Sequence, residues 1–145
     1  MKKTLTVVKF GGGVLDNFTL VLQRIRQIKE NSQVGPIVVI SAPRIQGEQP
    51  RSLTDLAIEI GERYAEHKPL PTDILFKPYI DIASDLLKEP FKEQFHKEFS
   101  YCRERVNHAL SQILENRRFV DVNRARVLAY SGEALMAALM DYILR

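Results

Sequence analysis

One cysteine among 145 residues leaves nothing from which an intrachain disulfide framework could be built. Cys102 alone is the usage of a reducing cytoplasm, which is therefore the expected compartment. Long hydrophobic runs are also missing. No segment approaches the roughly 18 consecutive apolar residues of a membrane span, so no membrane partner is expected. The basic start Met1-Lys2-Lys3 leads into a short apolar run that ends in lysine and glycines, whereas a secretory signal needs a longer apolar core and a small-residue cleavage site. Charge of one sign is scarce: 21 Lys and Arg against 18 Asp and Glu give a net +3, too little to imply a polyanionic partner. Arginines do gather between Arg103 and Arg126, among them Arg117, Arg118 and Arg124, but Glu104, Glu115 and Asp121 are interleaved with them. That pattern is a solvated helical face, and no nucleic-acid partner is expected. His67, His96 and His108 have no spacing that converges on a metal, no Ser-His-Asp arrangement stands out, and there is no internal repeat or low-complexity tract.

What is present is an ordinary soluble composition, 45% apolar and 27% charged, at the length of one domain. Two β-branched runs, Leu5–Phe10 and Ile37–Ser41, read as strands. Both are almost continuously apolar, the pattern of parallel strands covered on both faces. Between them Phe18, Val21, Leu22, Ile25 and Ile28 recur at helical spacing, with Asp16 or Asn17 as N-cap and Asn31 and Gly35-Pro36 as the stop. This is a βαβ unit. A polar loop over 42–52 is followed by a helix over 53–67. The stretch 74–87 is strand or helix. A long helix is expected from Pro90 to Asn116 and a last one over 123–145.

The chemistry concentrates where the first strand ends. Lys9-Phe10-Gly11-Gly12-Gly13 delivers a cation and bare backbone amides to one point. Glycine removes the Cβ atoms that would block an anion and permits positive φ, and oriented amides form a concavity for phosphate. The helix that follows is expected to aim its positive N-terminus there. A P-loop would carry its lysine after the glycines. A Rossmann fingerprint would have glycine where Asp16 stands. Lys9 reads equally as a surface cation at a strand end.

Three further segments bear on this one: Ser41-Ala42 after the second strand, Thr54-Asp55 beyond the polar loop, and Ser131-Gly132-Glu133-Ala134-Leu135 near the C-terminus. In this order they resemble the N-terminal half of the aspartokinases, in the amino acid kinase superfamily. That family opens with a strand ending Lys-Phe-Gly-Gly, continues with Val-Ser-Ala and a Thr-Asp or Thr-Asn pair, and has Gly-Glu at about this distance. The resemblance covers nearly the whole chain. It implies an α/β fold, a partial three-layer αβα sandwich of the amino acid kinase (carbamate kinase-like) type, with residues 1–145 as the N-terminal lobe and the nucleotide-binding half absent.

The resemblance also implies roles. Lys9 would steady the transferring phosphate, and Gly11, Gly12 and Gly13 would bind phosphate. Ser41, Thr54 and Glu133 would line the amino acid pocket, with Glu133 on the substrate's amino group. The intact family enzyme transfers the γ-phosphoryl of ATP to the β-carboxylate of aspartate with Mg2+, in lysine biosynthesis. Its ligands would thus be aspartate and the ATP phosphates, and no metal ligand is assigned on this chain. The motifs depart from the family at Gly13-Val14, usually Thr-Ser, at Met136, usually serine, and at Arg126, commonly acidic. From the residues alone, Ser41 serves equally as a strand-terminal cap, and Thr54-Asp55 as a helix cap.

Leu135, Ala138, Leu139, Tyr142 and Ile143 form an apolar stripe that runs almost to the last residue with no Gly, Asn or Pro to end it. Together with so small a sheet, it is expected to lie uncovered and to dock on a second copy or a complementing subunit. Two other functions remain open: a non-catalytic interaction or regulatory subunit on the same fold, and another small-molecule kinase of the superfamily.

Overall fold

The computed structural model describes residues 5–32, 34–47, 49–116 and 119–145. It is mixed α/β and mostly helical, with two small two-stranded sheets. Strands β1 (Val7–Phe10) and β2 (Ile37–Ile40) pair in parallel, Val7 against Ile37 and Phe10 against Ile40. Helix α1 (Phe18–Glu30) makes the crossover, as the 3.6-residue spacing requires. Asn17 caps it by accepting the Leu20 N–H at 3.1 Å, and Asn31 ends it.

The segment expected to be a polar loop contains a hairpin, β3 (Arg44–Ile45) against β4 (Arg51–Ser52), too short to leave a periodic signal. It leads into α2 (Leu53–Ala65). That helix closes with His67 in the left-handed region (φ 59°), its N–H bonded to the Tyr64 carbonyl and that of Lys68 to Arg63. The ambiguous stretch is a 3-10 turn, Asp73–Leu75, and then α3 (Lys77–Leu86), so it is helical. The long helix α4 (Phe91–Glu115) follows Pro90 as expected.

The expected last helix is two. Helix α5 (Val120–Ser131) and α6 (Glu133–Leu144) meet at Gly132, where the backbone leaves helical geometry (φ −109°, ψ −114°). A Cβ there would lie 2.6 Å from the Leu128 carbonyl oxygen, so the corner requires glycine. Taken together, Val120–Leu144 is long and apolar enough by length and composition to cross a membrane. In the fold its apolar residues Val127, Leu135, Met136, Leu139 and Met140 are buried in the protein.

Two expectations about coverage are corrected. The stripe on α6 is covered by this chain itself: Leu135 and Leu139 are fully buried, and the helix packs on α3, α4, α5 and β2. The sheet is covered on one face only. Val8, Phe10, Val38 and Ile40 face the core, while Val7 is 61% exposed, Ile37 48% and Val39 43%, with Lys9 exposed beside them. No helix covers that outer face among the described residues, so its continuous apolarity is unmatched by packing. The uncovered apolar surface therefore lies on β1 and β2.

Most of the core is helical. Phe95, Phe99, Cys102, Val106, Ala109, Leu110 and Ile113 form the buried side of α4. Phe99 meets Phe76 edge to face at 5.6 Å, and Phe95 meets Tyr142 at 6.3 Å.

Candidate functional site

Parallel pairing puts the carboxyl ends of β1 and β2 side by side, and the Ser41 N–H extends the ladder by donating to the Phe10 carbonyl at 3.1 Å. In open α/β sheets this end is where ligand crevices form. The chain then turns at Gly11 into a 3-10 turn, Gly12–Asn17, with the Val14 N–H on the Gly11 carbonyl at 3.0 Å.

Ala42 ties the site together. A Cβ on Gly12 would sit 2.8 Å from the Ala42 carbonyl oxygen, and one on Gly132 would sit 3.6 Å from the Ala42 Cβ. The glycine loop, the end of β2 and the α5–α6 corner therefore pack on one alanine. Three of the four sequence motifs, separated by up to about 120 residues of chain, meet at one end of the sheet.

The individual side chains fall as follows. Lys9 is exposed on the open face of β1, two residues before the turn at Gly11. Gly11 has nothing within 4 Å of a built Cβ, and Gly13 meets only the Arg44 side chain at 3.7 Å. Ser41 is half-buried. Glu133 is exposed in the first turn of α6, directly after the packed Gly132. Thr54 is exposed at the second position of α2, one hairpin away through the Arg44–Ser52 pairing. The Ser52 hydroxyl, accepting the Asp55 N–H at 3.4 Å, is the cap of α2, so the reading of Thr54-Asp55 as the cap is corrected.

The glycines work differently from expectation. Among the described residues none has positive φ. Gly12 is demanded by close packing, and Gly11, in extended geometry, is demanded by no neighbour. Helix α1 does not open on the loop either: the 3-10 turn intervenes, and Asn17 takes up one of the helix's first free amides.

Sequence reasoning missed two residues here. Arg44 lies over the loop, with Cγ 3.7 Å from the Gly12 Cβ position, and pairs with Asp16 at 3.6 Å. Asp16 also accepts from the Gln46 amide at 2.6 Å. These residues border a cleft of about 260 Å³ that reaches across to Lys77 and Asp81 on α3. Arg44 sits in a two-residue strand, which carries no readable pattern. The other is Tyr79, fully buried on α3, whose hydroxyl donates to the carbonyls of Ser131 and Gly132 and holds the corner that carries Glu133. Met136, where the family has serine, is fully buried and fills the core. Arg117 and Arg118 lie outside the described residues.

No protein-family model, curated protein or solved structure matches the chain.

Proposed function

We propose that this chain is the aspartate- and phosphate-binding part of an aspartate kinase-like phosphotransferase, built on a partial amino acid kinase sandwich. The observation that carries the reading is the meeting of Gly12, Ala42 and Gly132 at the carboxyl end of the parallel pair. Three of the four motifs, matched only by their order in the chain, are neighbours in space, and this supports the reading.

On this reading Lys9 and the amides of Gly11 to Gly13 hold the phosphoryl group, with Arg44 as a second cation over the loop. Phosphoryl transfer is mainly a matter of positioning and of neutralising charge on the moving group, which is what a lysine, an arginine and bare amides supply. Glu133 offers a carboxylate to the ammonium of an amino acid, and Ser41 and Thr54 offer hydroxyls to its carboxylates. ATP would bring the phosphoryl group and Mg2+ would screen it. Among the described residues no three acidic, histidine or cysteine groups gather to hold a metal, so no step is assigned to Mg2+ on this chain. Turnover by the chain alone is not expected.

The test is an NMR titration of the full chain with L-aspartate and with pyrophosphate. Lys9→Ala should abolish the pyrophosphate response, and Glu133→Gln the aspartate response. Aspartate shifts that survive Glu133→Gln, or pyrophosphate shifts indifferent to Lys9, would sink the reading.

A second reading has one observation of its own. The open face of Val7, Ile37 and Val39, on a sheet that has only two strands among the described residues, suits a subunit that docks through that face without catalysing anything.

A further inference from the structure

Helices α4 and α5 form the most extensive helix pair of the fold, and their shared rim carries a cluster that the proposed site does not use. Arg105 and His108 stand three residues apart on α4; Arg126 and Tyr130 stand four apart on α5. Both spacings place the pair on one helical face. The four residues line a cleft of about 310 Å³, and no carboxylate is among them.

The cations are held from behind by neutral groups. Arg105 donates Nε–H to the Tyr101 hydroxyl at 3.1 Å and lies over that ring at 5.2 Å. Tyr101 in turn meets Tyr130 edge to face at 6.0 Å. Arg126 donates to Oδ1 of Asn123, a buried amide on α5, at 3.1 Å. Neighbouring cations are neutralised: Arg103 pairs with Asp73 and Arg124 with Asp121. Among the described residues no ion pair joins a carboxylate to Arg105 or Arg126. Two fixed guanidinium groups therefore converge on one small space without an anion of their own. Each retains N–H donors beyond the one it uses, in a fork that matches phosphate oxygens.

We propose that this cleft binds the phosphoryl group of a small phosphate monoester, gripped by Arg105 and Arg126 with His108 and Tyr130 as further donors. The size of the cleft and the neutralised neighbours favour one phosphoryl group over a nucleic-acid backbone, which needs a longer uncompensated stripe.

The experiment is an amide NMR titration of the full chain with inorganic phosphate and, in parallel, phenyl phosphate, at low ionic strength. Saturable shifts should centre on residues 105–109 and 126–130. Arg105→Gln and Arg126→Gln should each weaken binding by about tenfold or more, as expected for losing a hydrogen bond to a charged group. Arg105 is exposed and its replacement carries the test if Arg126→Gln, which also frees Asn123, impairs folding. Lys9→Ala should leave these shifts unchanged, which separates this site from the glycine loop. Inorganic phosphate binding as well as the ester means that the phosphoryl group suffices; tighter binding of the ester assigns the rest of the cleft to its organic part. Non-saturable shifts, equal weakening by Arg103→Gln, or a response to duplex DNA but to neither phosphate, would overturn the proposal.

Discussion

Tyr79 on α3 donates its phenolic hydroxyl to the carbonyl oxygen of Ser131, 2.7 Å away and 52 residues further along the chain. The same hydroxyl reaches the Gly132 carbonyl at 2.9 Å. These carbonyls belong to the corner between α5 and α6, where the Gly132 carbonyl also accepts the Met136 N–H at 3.1 Å, and the phenol donor is fully buried. Tyr79→Phe leaves buried acceptors without this donor and should lower stability by about 1–3 kcal/mol in urea unfolding. The backbone corner under Glu133 would lose its anchor, so the variant should also bind aspartate more weakly under conditions where it remains folded. A loss below a few tenths of a kcal/mol would mean that water replaces the phenol at no cost.

Gly11 and Gly12 are adjacent and look alike in sequence, yet the fold treats them differently. Gly12→Ala places a methyl 2.8 Å from a backbone oxygen that cannot swing away, and should cost about 1–3 kcal/mol. Gly11 already has extended angles suited to alanine and open space around its Cβ position. Gly11→Ala should therefore be neutral or stabilising by up to about 1 kcal/mol. If the loop holds phosphate, that same harmless methyl should weaken pyrophosphate binding. Thermal melts and titrations on the two variants separate packing from ligand approach; a Gly11→Ala protein with unaltered pyrophosphate binding would count against the phosphate role.

The βαβ start, the long α4, the helix stop at Asn31 and an N-cap at either Asp16 or Asn17 were legible because each rests on local chemistry: periodicity, a side-chain acceptor, or proline. The two-residue strands at Arg44 and Arg51 were not, since register in so short a hairpin is set by tertiary contact. Gly132 was visible as half of a Gly-Glu pair, but its role as a break in the helix depends on Leu128 and Tyr79, which no local pattern connects to it. Coverage was misread for a related reason. The stripe at Leu135 to Ile143 and the runs at Val7 and Ile37 look equally apolar, and only the packing of α3 and α4 shows that the first is buried and the second exposed.

Alkaline pH should destabilise the fold. Burial pushes the Cys102 thiol up to about 11 from 9.0, with Glu98 adding repulsion, and burial pushes the Tyr79 phenol well above its usual 10. In both cases the unfolded chain releases its proton at lower pH than the folded one, so stability is complete below pH 9 and falls as pH rises through 9 to 11. The thiol contributes on the order of 2 kcal/mol across that window. Cys102→Ala should flatten the pH 9–11 portion of the urea-unfolding profile, whatever it costs at neutral pH. A wild-type profile level to pH 11 would contradict the burial of both groups.

The open face of the sheet makes the last expectation, and α6 supplies its contrast. Ile37 and Val39 are about half exposed on the uncovered side, so Ile37→Glu with Val39→Lys removes little packed area and should change stability by no more than about 0.5–1 kcal/mol. If that face is where the chain meets a second copy or a complementing subunit, sedimentation should show the wild type associating and the double variant monomeric. Leu139→Lys is the opposite case. Its side chain is fully buried, on a helix that packs against α3, α4, α5 and β2, and a lysine there is an unpaired charge in the core. It should cost more than about 4 kcal/mol and yield aggregated or unfolded protein rather than a more soluble monomer. Association that persists in the Ile37→Glu, Val39→Lys protein would remove the sheet face as the docking surface. A folded, more monomeric Leu139→Lys protein would return that role to α6.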